Sequence, residues 1–247
     1  MLKASTKKTL LICLPYAGGS SHFFYKWKRY LNPSVEIFPV EIAGRGRRSK
    51  DFFYNSFTEA VADIESIIVP AIQDRPYVLF GHSMGSLLAY ELCCSLEQQG
   101  NPLPDITFVS GHDAPIYKKE QRNYHLLNDE QLTKKIIKMG GLSNEVAEND
   151  DLMRIFLPIA RADFNMLDQY LIEPKTKQIS VDLTLLYGTD DGMIKEKLQS
   201  WGQLTSGNFN MYPFSGGHFY LNEHEREVVD LINRSIENQF KIYKNYT

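Results

Sequence analysis

Cysteine is scarce in this 247-residue sequence. There are three, Cys13, Cys93 and Cys94, an odd number with no Cys-x-x-Cys pair, so neither a disulfide framework nor a zinc knuckle is available. They read as small buried thiols of a reduced, cytoplasmic chain. Long apolar runs are also missing. None approaches transmembrane length, and Pro15 ends the run at residues 9–14 before a signal-peptide core and cleavage site could follow, which argues against secretion. Strong charge of one sign is absent: 27 basic against 30 acidic residues give a net charge of −3, mixed along most of the chain. That balance implies neither a nucleic-acid-binding surface nor a polybasic membrane anchor. His22, His112, His125 and His224 lack metal-ligand spacing, and the tandem glycines lack the lysine and hydroxyl of a nucleotide-binding P-loop. Repeats and low-complexity segments are lacking too.

What remains is a chain that is 43% hydrophobic, enough for one core and a single domain over residues 1–247. Short apolar runs at 9–14, 35–40, 76–80, 106–110, 181–187 and 209–212 read as strands. Pro39 falls near the end of its run. Helical patterns lie at 22–30, 56–69, 84–99, 194–201 and 223–238. In the second of these, Phe57, Val61, Ile64 and Ile68 recur at spacings of four and three, making one buried face. Gly100-Asn101-Pro102 stops the third. Strands alternating with helices predict a mostly parallel sheet covered on both faces. The rhythm breaks at 111–177, read as a helical insertion above the sheet with helices at 129–139, 151–156 and 161–170 and bends at Gly140-Gly141 and Pro158. Residues 241–247 read as a frayed tail.

Gly81-His82-Ser83-Met84-Gly85 joins a strand to a helix, the setting of a nucleophile elbow. Its glycines let neighbouring backbone pass close to a sharply turned serine, and the Met84 amide at the helix start faces a developing oxyanion. A serine nucleophile needs a base. His218, in Ser215-Gly216-Gly217-His218, follows the last strand and precedes the last helix, completing the order nucleophile, acid, histidine. The acid belongs on the loop after the 181–187 strand, where Asp190 and Asp191 both fit. Asp191 is preferred because the chain turns at Gly188 before presenting it, and the other aspartate then caps the next helix. A second oxyanion amide belongs to the loop after the first strand, and Ala17, before Gly18-Gly19, is the candidate. His82 reads as packing or support beside the serine.

These motifs resemble those of the stand-alone, type II thioesterases of nonribosomal peptide and polyketide synthase systems, within the α/β-hydrolase superfamily. The resemblance spans nearly the whole chain and rests on Leu14-Pro15-Tyr16-Ala17-Gly18-Gly19, Gly44-Arg45-Gly46-x-Arg48, Phe80-Gly81-His82-Ser83-Met84-Gly85, Leu157-Pro158-x-x-Arg161-x-Asp163-Phe164 and Phe214-x-Gly216-Gly217-His218-Phe219, in that order. Ala43 stands where the family commonly has proline. The resemblance implies a triad of Ser83, Asp191 and His218, oxyanion amides from Ala17 and Met84, and a helical lid at 111–177 over an acyl chamber. It implies hydrolysis of acyl thioesters on carrier proteins through an acyl-serine, as an editing activity. No cofactor is implied, because the 4′-phosphopantetheine arm belongs to the acylated carrier-protein substrate. A medium-chain acyl-carrier thioesterase releasing fatty acids is the alternative within enzymes, and a non-catalytic carrier-binding module the alternative outside them. Arg45, Arg47, Arg48 and Lys50 either meet an acidic carrier or brace the fold. A monomer is expected.

Overall fold

A computed structural model describes residues 7–117 and 122–245, with side chains as far as residue 239. In chain order the elements are β1 (Thr9–Leu14), α1 (His22–Tyr25), β2 (Val35–Pro39), α2 (Phe57–Ile72), β3 (Tyr77–His82), α3 (Met84–Gln99), β4 (Ile106–Ser110), α4 (Asp129–Met139), α5 (Asn144–Ala147), α6 (Asp150–Tyr170), β5 (Asp182–Gly188), α7 (Lys195–Gln199), β6 (Phe209–Phe214) and α8 (Glu225–Asn245). The strands form one sheet in the order β2-β1-β3-β4-β5-β6. Every neighbouring pair is parallel.

Parallel strands need crossovers, and the crossover helices bury both faces of the sheet. β1 illustrates this: Leu10, Ile12 and Leu14 pack in one core with α2 and α3, whereas Leu11 and Cys13 pack in another with Phe24, Trp27 and the α8 residues Val228 and Ile232. Alternation at period two thus puts an apolar residue into each layer. β1, β3 and β4 are buried along their whole length, whereas β2 and β6, at the two rims, are partly exposed. Pro39 closes β2 at one rim. β6 runs through Pro213 at the other, past the end expected at residue 212, because an edge strand tolerates a missing backbone donor. Cys13, Cys93 and Cys94 are free and buried. Burial pushes the Cys93 thiol up to about 12 and that of Cys94 up to about 11, which keeps both unreactive.

Between β4 and β5 lie α4, α5 and α6, and a third, smaller cluster joins Leu132 and Ile136 of α4 to Met153, Leu157, Ala160 and Phe164 of α6. Asn128 and Gln131 form a capping box at the start of α4, and Gly140 ends it in the left-handed region. Two helices were expected at 151–156 and 161–170, but α6 is continuous and carries Pro158 inside. Met153 and Leu157 before the proline and Ala160 and Phe164 beyond it form one buried stripe, and this packing outweighs one lost backbone bond. Likewise α2 passes Pro70 to reach Ile72. The expected helix at 22–30 is a single α turn followed by a 3-10 turn, Lys26–Arg29. The last helix begins at Glu225, after a 3-10 turn at Tyr220–Asn222, and extends to Asn245 where a frayed tail was expected. Tyr246 and Thr247 lie outside the described residues. Among those described, no helix is long and apolar enough to cross a membrane.

Candidate active site

β1 leads to β2 on one side of it, and the chain then returns to place β3 on the other. A reversal of this kind opens a crevice at the carboxyl ends of the strands. The loops after β1, β3, β4, β5 and β6 converge there, around a cavity of about 900 Å³ lined by Ala17, Ser83, Gly111, Asp191 and His218. Tyr124, Ile136, Met139, Phe164 and Leu167 of the insertion line its other wall.

Ser83 sits between β3 and α3 with φ 55° and ψ −114°, one of two non-glycine residues with positive φ among those described. Holding a serine there costs of order 1–3 kcal/mol and requires surroundings that over-determine it. The surroundings are mostly backbone. The Ser83 N–H donates to the Ser110 carbonyl at 2.7 Å. A Cβ on Gly81 would lie 1.9 Å from the Gly85 carbonyl oxygen, and one on Gly85 would lie 2.2 Å from the carbonyl oxygen of Leu14. Strand, elbow and helix therefore interlock only with glycine at both positions. Met84 is the first residue of α3, so its N–H belongs to the helix's unbonded first turn.

His218 reaches the cavity from the loop after β6. Its Nδ1 lies 2.8 Å from Asp191 Oδ2, both side chains being largely buried. Asp190 points elsewhere: it is exposed, accepts a hydrogen bond from Thr189 Oγ1 at 3.1 Å, and uses its N–H to bond the Gly216 carbonyl at 2.9 Å. That backbone bond ties the β5 loop to the histidine loop. The adjacent Asp191 faces the imidazole.

Beneath His218 lies His82, fully buried, with ring centroids 5.1 Å apart. Its Nδ1 is 2.9 Å from Ser110 Oγ, which is 2.6 Å from the Tyr220 hydroxyl. Burial holds the His82 imidazole well below the ordinary histidine range, and His218 and His112 nearby push the same way. His82 is thus a neutral platform under the histidine loop, and Tyr220 belongs to the same network. Nothing in the chain order signals Tyr220 beyond its place two residues after His218.

Of the four cations between residues 45 and 50, two are braces. Arg45 is buried against Asp163, and Arg48 pairs with Asp63 and Asp51. The Arg48–Asp63 pair holds the Asp63 carboxyl below its usual range against the opposing effect of burial. Arg47 and Lys50 remain exposed. No group of three or more histidine, cysteine or acidic side chains among the described residues is arranged to hold a metal ion.

A doubly covered parallel sheet, with a strained serine at the elbow after its central strand and a carboxylate-bound histidine over the same crevice, defines an α/β-hydrolase. Comparison with known proteins narrows the class. Residues 9–236 match the family model described as "Thioesterase domain". The chain is 30% identical to the gramicidin S biosynthesis protein GrsT of Aneurinibacillus migulanus over 233 residues, 94% of this chain and 90% of that one. It is 33% identical to the medium-chain S-acyl fatty acid synthase thioesterase of Rattus norvegicus over 220 residues, 88% of this chain and 83% of that one. The solved structure of ClbQ from the colibactin NRPS/PKS pathway superposes with a TM-score of 0.89 at 31% identity, covering 96% of this chain and 100% of that chain. The protein belongs to the thioesterase family, and its relatives include the type II enzymes of nonribosomal peptide and polyketide pathways.

Proposed function

We propose that the protein hydrolyses acyl thioesters on the 4′-phosphopantetheine arm of carrier proteins, clearing misacylated nonribosomal peptide or polyketide synthases. The observation that carries this reading is the Asp191–His218 pair opening on the same cavity as Ser83, in a chain similar to GrsT and ClbQ along nearly its whole length.

In this mechanism the Asp191 carboxylate accepts a hydrogen bond from Nδ1–H of His218, which fixes the tautomer and leaves Nε2 as the base. Ser83 Oγ attacks the thioester carbonyl carbon as Nε2 takes its proton. The N–H groups of Ala17 and Met84 receive the oxyanion. Collapse breaks the carbon–sulfur bond, His218 returns the proton to the departing thiol, and an acyl-serine remains. Water deprotonated by His218 then attacks the acyl-serine, and collapse releases the carboxylic acid and restores Ser83. The helices of the insertion act as a lid over the acyl group, and its apolar wall accommodates the chain. Arg47 and Lys50 are the exposed cations offered to an acidic carrier. The enzyme works in the cytoplasm as a monomer and needs no cofactor of its own.

Similarity to the rat fatty acid synthase thioesterase favours a second reading, release of medium-chain fatty acids from an acyl carrier. Mass spectrometry of acids released from a panel of acylated carrier proteins separates the two. Short and aberrant acyl groups leave fastest under the editing reading, and saturated medium chains under the other. Ser83→Ala should lower turnover by about four to six orders of magnitude. Preference for oxygen esters, with negligible turnover of carrier thioesters, would overturn the substrate class. Reversing the charge of Arg47 and Lys50 should slow carrier thioesters about threefold at low salt and leave free pantetheine thioesters unchanged.

A further inference from the structure

Two sequence motifs have no part in the chemistry above: the one containing Arg45 and the one containing Asp163. Their residues meet. Arg45 Nη2 donates to Asp163 Oδ1 at 2.6 Å and Arg45 Nη1 to Asp163 Oδ2 at 2.7 Å, with both side chains only 3% exposed. A fork of this kind, buried and bidentate, has one geometry. Its remaining bonds go to the loop after β1. Asp163 Oδ2 accepts the Gly18 N–H at 2.7 Å, and Arg45 Nη1 also donates to the Gly19 carbonyl at 2.8 Å. The Nε of Arg45 reaches its own loop, at the Ala43 carbonyl, 3.4 Å away.

That loop carries the Ala17 amide. The Gly19 N–H donates to the Tyr16 carbonyl at 2.8 Å, which closes a turn over residues 16–19 with Gly18 at φ +79°, the value for the third residue of a type II turn. The Tyr16 carbonyl and the Ala17 N–H share one peptide plane and point in opposite directions, so the turn's closing bond aims the Ala17 N–H. The next plane holds the Gly18 N–H, and flipping it would turn the Ala17 carbonyl toward the Asp163 carboxylate. Asp163 therefore selects the turn type. It projects from α6, and Phe156 and Ala160 of the same helix pack against Gly18, where an added Cβ would come within 2.9 Å and 3.6 Å of them.

We propose that Arg45 and Asp163 are positioning residues for the oxyanion turn, and that through them α6 and the turn form one mechanical unit. The inference rests on the serine-hydrolase reading of the site but not on the identity of the acyl donor. With α6 seated, the Ala17 amide is aimed. If α6 lifts, the Gly18 N–H loses its acceptor and the hole loses its shape, so a substrate is committed to chemistry only under a seated helix.

The test uses the full chain and two substrates, an acyl N-acetylcysteamine thioester and a p-nitrophenyl acyl ester, with an alkyl boronic acid as the tetrahedral probe. Asp163→Asn and Arg45→Lys should each lower kcat about 10- to 100-fold with KM within about threefold, and weaken the boronate by the same factor as kcat. Removing one member of a buried pair endangers folding, whereas replacing both by apolar residues of similar size is tolerated. Arg45→Met combined with Asp163→Leu should therefore fold, melt near the parent temperature and show the same kcat and boronate losses. A folded double variant with kcat within twofold of the parent would overturn the proposal, as would single variants that lose thermal stability but keep kcat and boronate affinity. Should the double variant not fold, Asp163→Glu, which keeps the charge on a longer arm, decides on the same two readouts. Ser83-dependent turnover of the oxygen ester without turnover of carrier thioesters would remove the proposed substrate and leave this test intact.

Discussion

The two walls of the cavity are built by opposite means. On the sheet side, Ser83 is held by backbone against backbone, with glycine at positions 81 and 85 where a Cβ would collide with neighbouring carbonyls. On the insertion side, the wall is an amphipathic helix pair around a cluster of six buried side chains, with Ile155 of α6 67% exposed and Leu126, in the turn before α4, 72% exposed. Backbone packing admits one arrangement, whereas side-chain packing admits volume-conserving exchange. The elbow and the insertion wall therefore tolerate change differently: positions 81 and 85 are restricted to glycine, whereas apolar residues of the wall can exchange at constant volume as long as Asp163 keeps α6 tied to the turn after β1.

Substitutions on the two sides should therefore fail differently. After the loss of Ser83 itself, the largest effect belongs to Asp191→Asn, which should lower turnover by about 10³–10⁴ because the histidine loses the partner that sets its tautomer. Asp190→Asn should stay within about twofold, and steady-state kinetics on one thioester compare them directly. Next comes Gly81→Ala, where the new methyl has no space. Denaturant unfolding should report a loss of about 3 kcal/mol or more, and turnover should fall at least about 100-fold. On the insertion side, Phe164→Ala should raise KM about 10-fold with kcat within about threefold. Labelling of Ser83 by a small fluorophosphonate should then be unchanged, and equal loss of labelling in the Gly81 and Phe164 variants would break the comparison.

The smallest effect concerns His82. Its imidazole stays neutral in the fold while the unfolded chain protonates near pH 6.5. The unfolded state then binds more protons, so this contribution is present above about pH 6.5 and lost as the pH falls. Denaturant unfolding between pH 6.5 and 5 should steepen by at most about 1.4 kcal/mol per pH unit from this residue, and His82→Asn should remove that slope.

Sequence was most informative where the cause is local. The elbow segment was legible because two glycines, a preceding apolar strand and a following helix are all contiguous, and strand–helix alternation carried the parallel sheet. Where the deciding partner is remote, the sequence narrows the choice without closing it, as in its preference for Asp191, the residue that meets His218. Which aspartate meets His218 depends on the Asp190 amide bonding the Gly216 carbonyl, 26 residues on. Arg45 and Arg47 look alike in the sequence, but Arg45 alone finds a carboxylate 118 residues away. Pro158 suggested a bend because proline lacks a donor, and the stripe that carries α6 past it is buried only once α4 packs alongside.

The rim strands have a consequence for life at high concentration. A sheet with two open edges is a template for strands from other molecules. Here Pro39 stands at the end of one rim and Pro213 within the other, and each removes an amide that an incoming strand would need. Six strands are therefore where this sheet stops growing: the residues that limit its width also guard the chain against edge-to-edge aggregation.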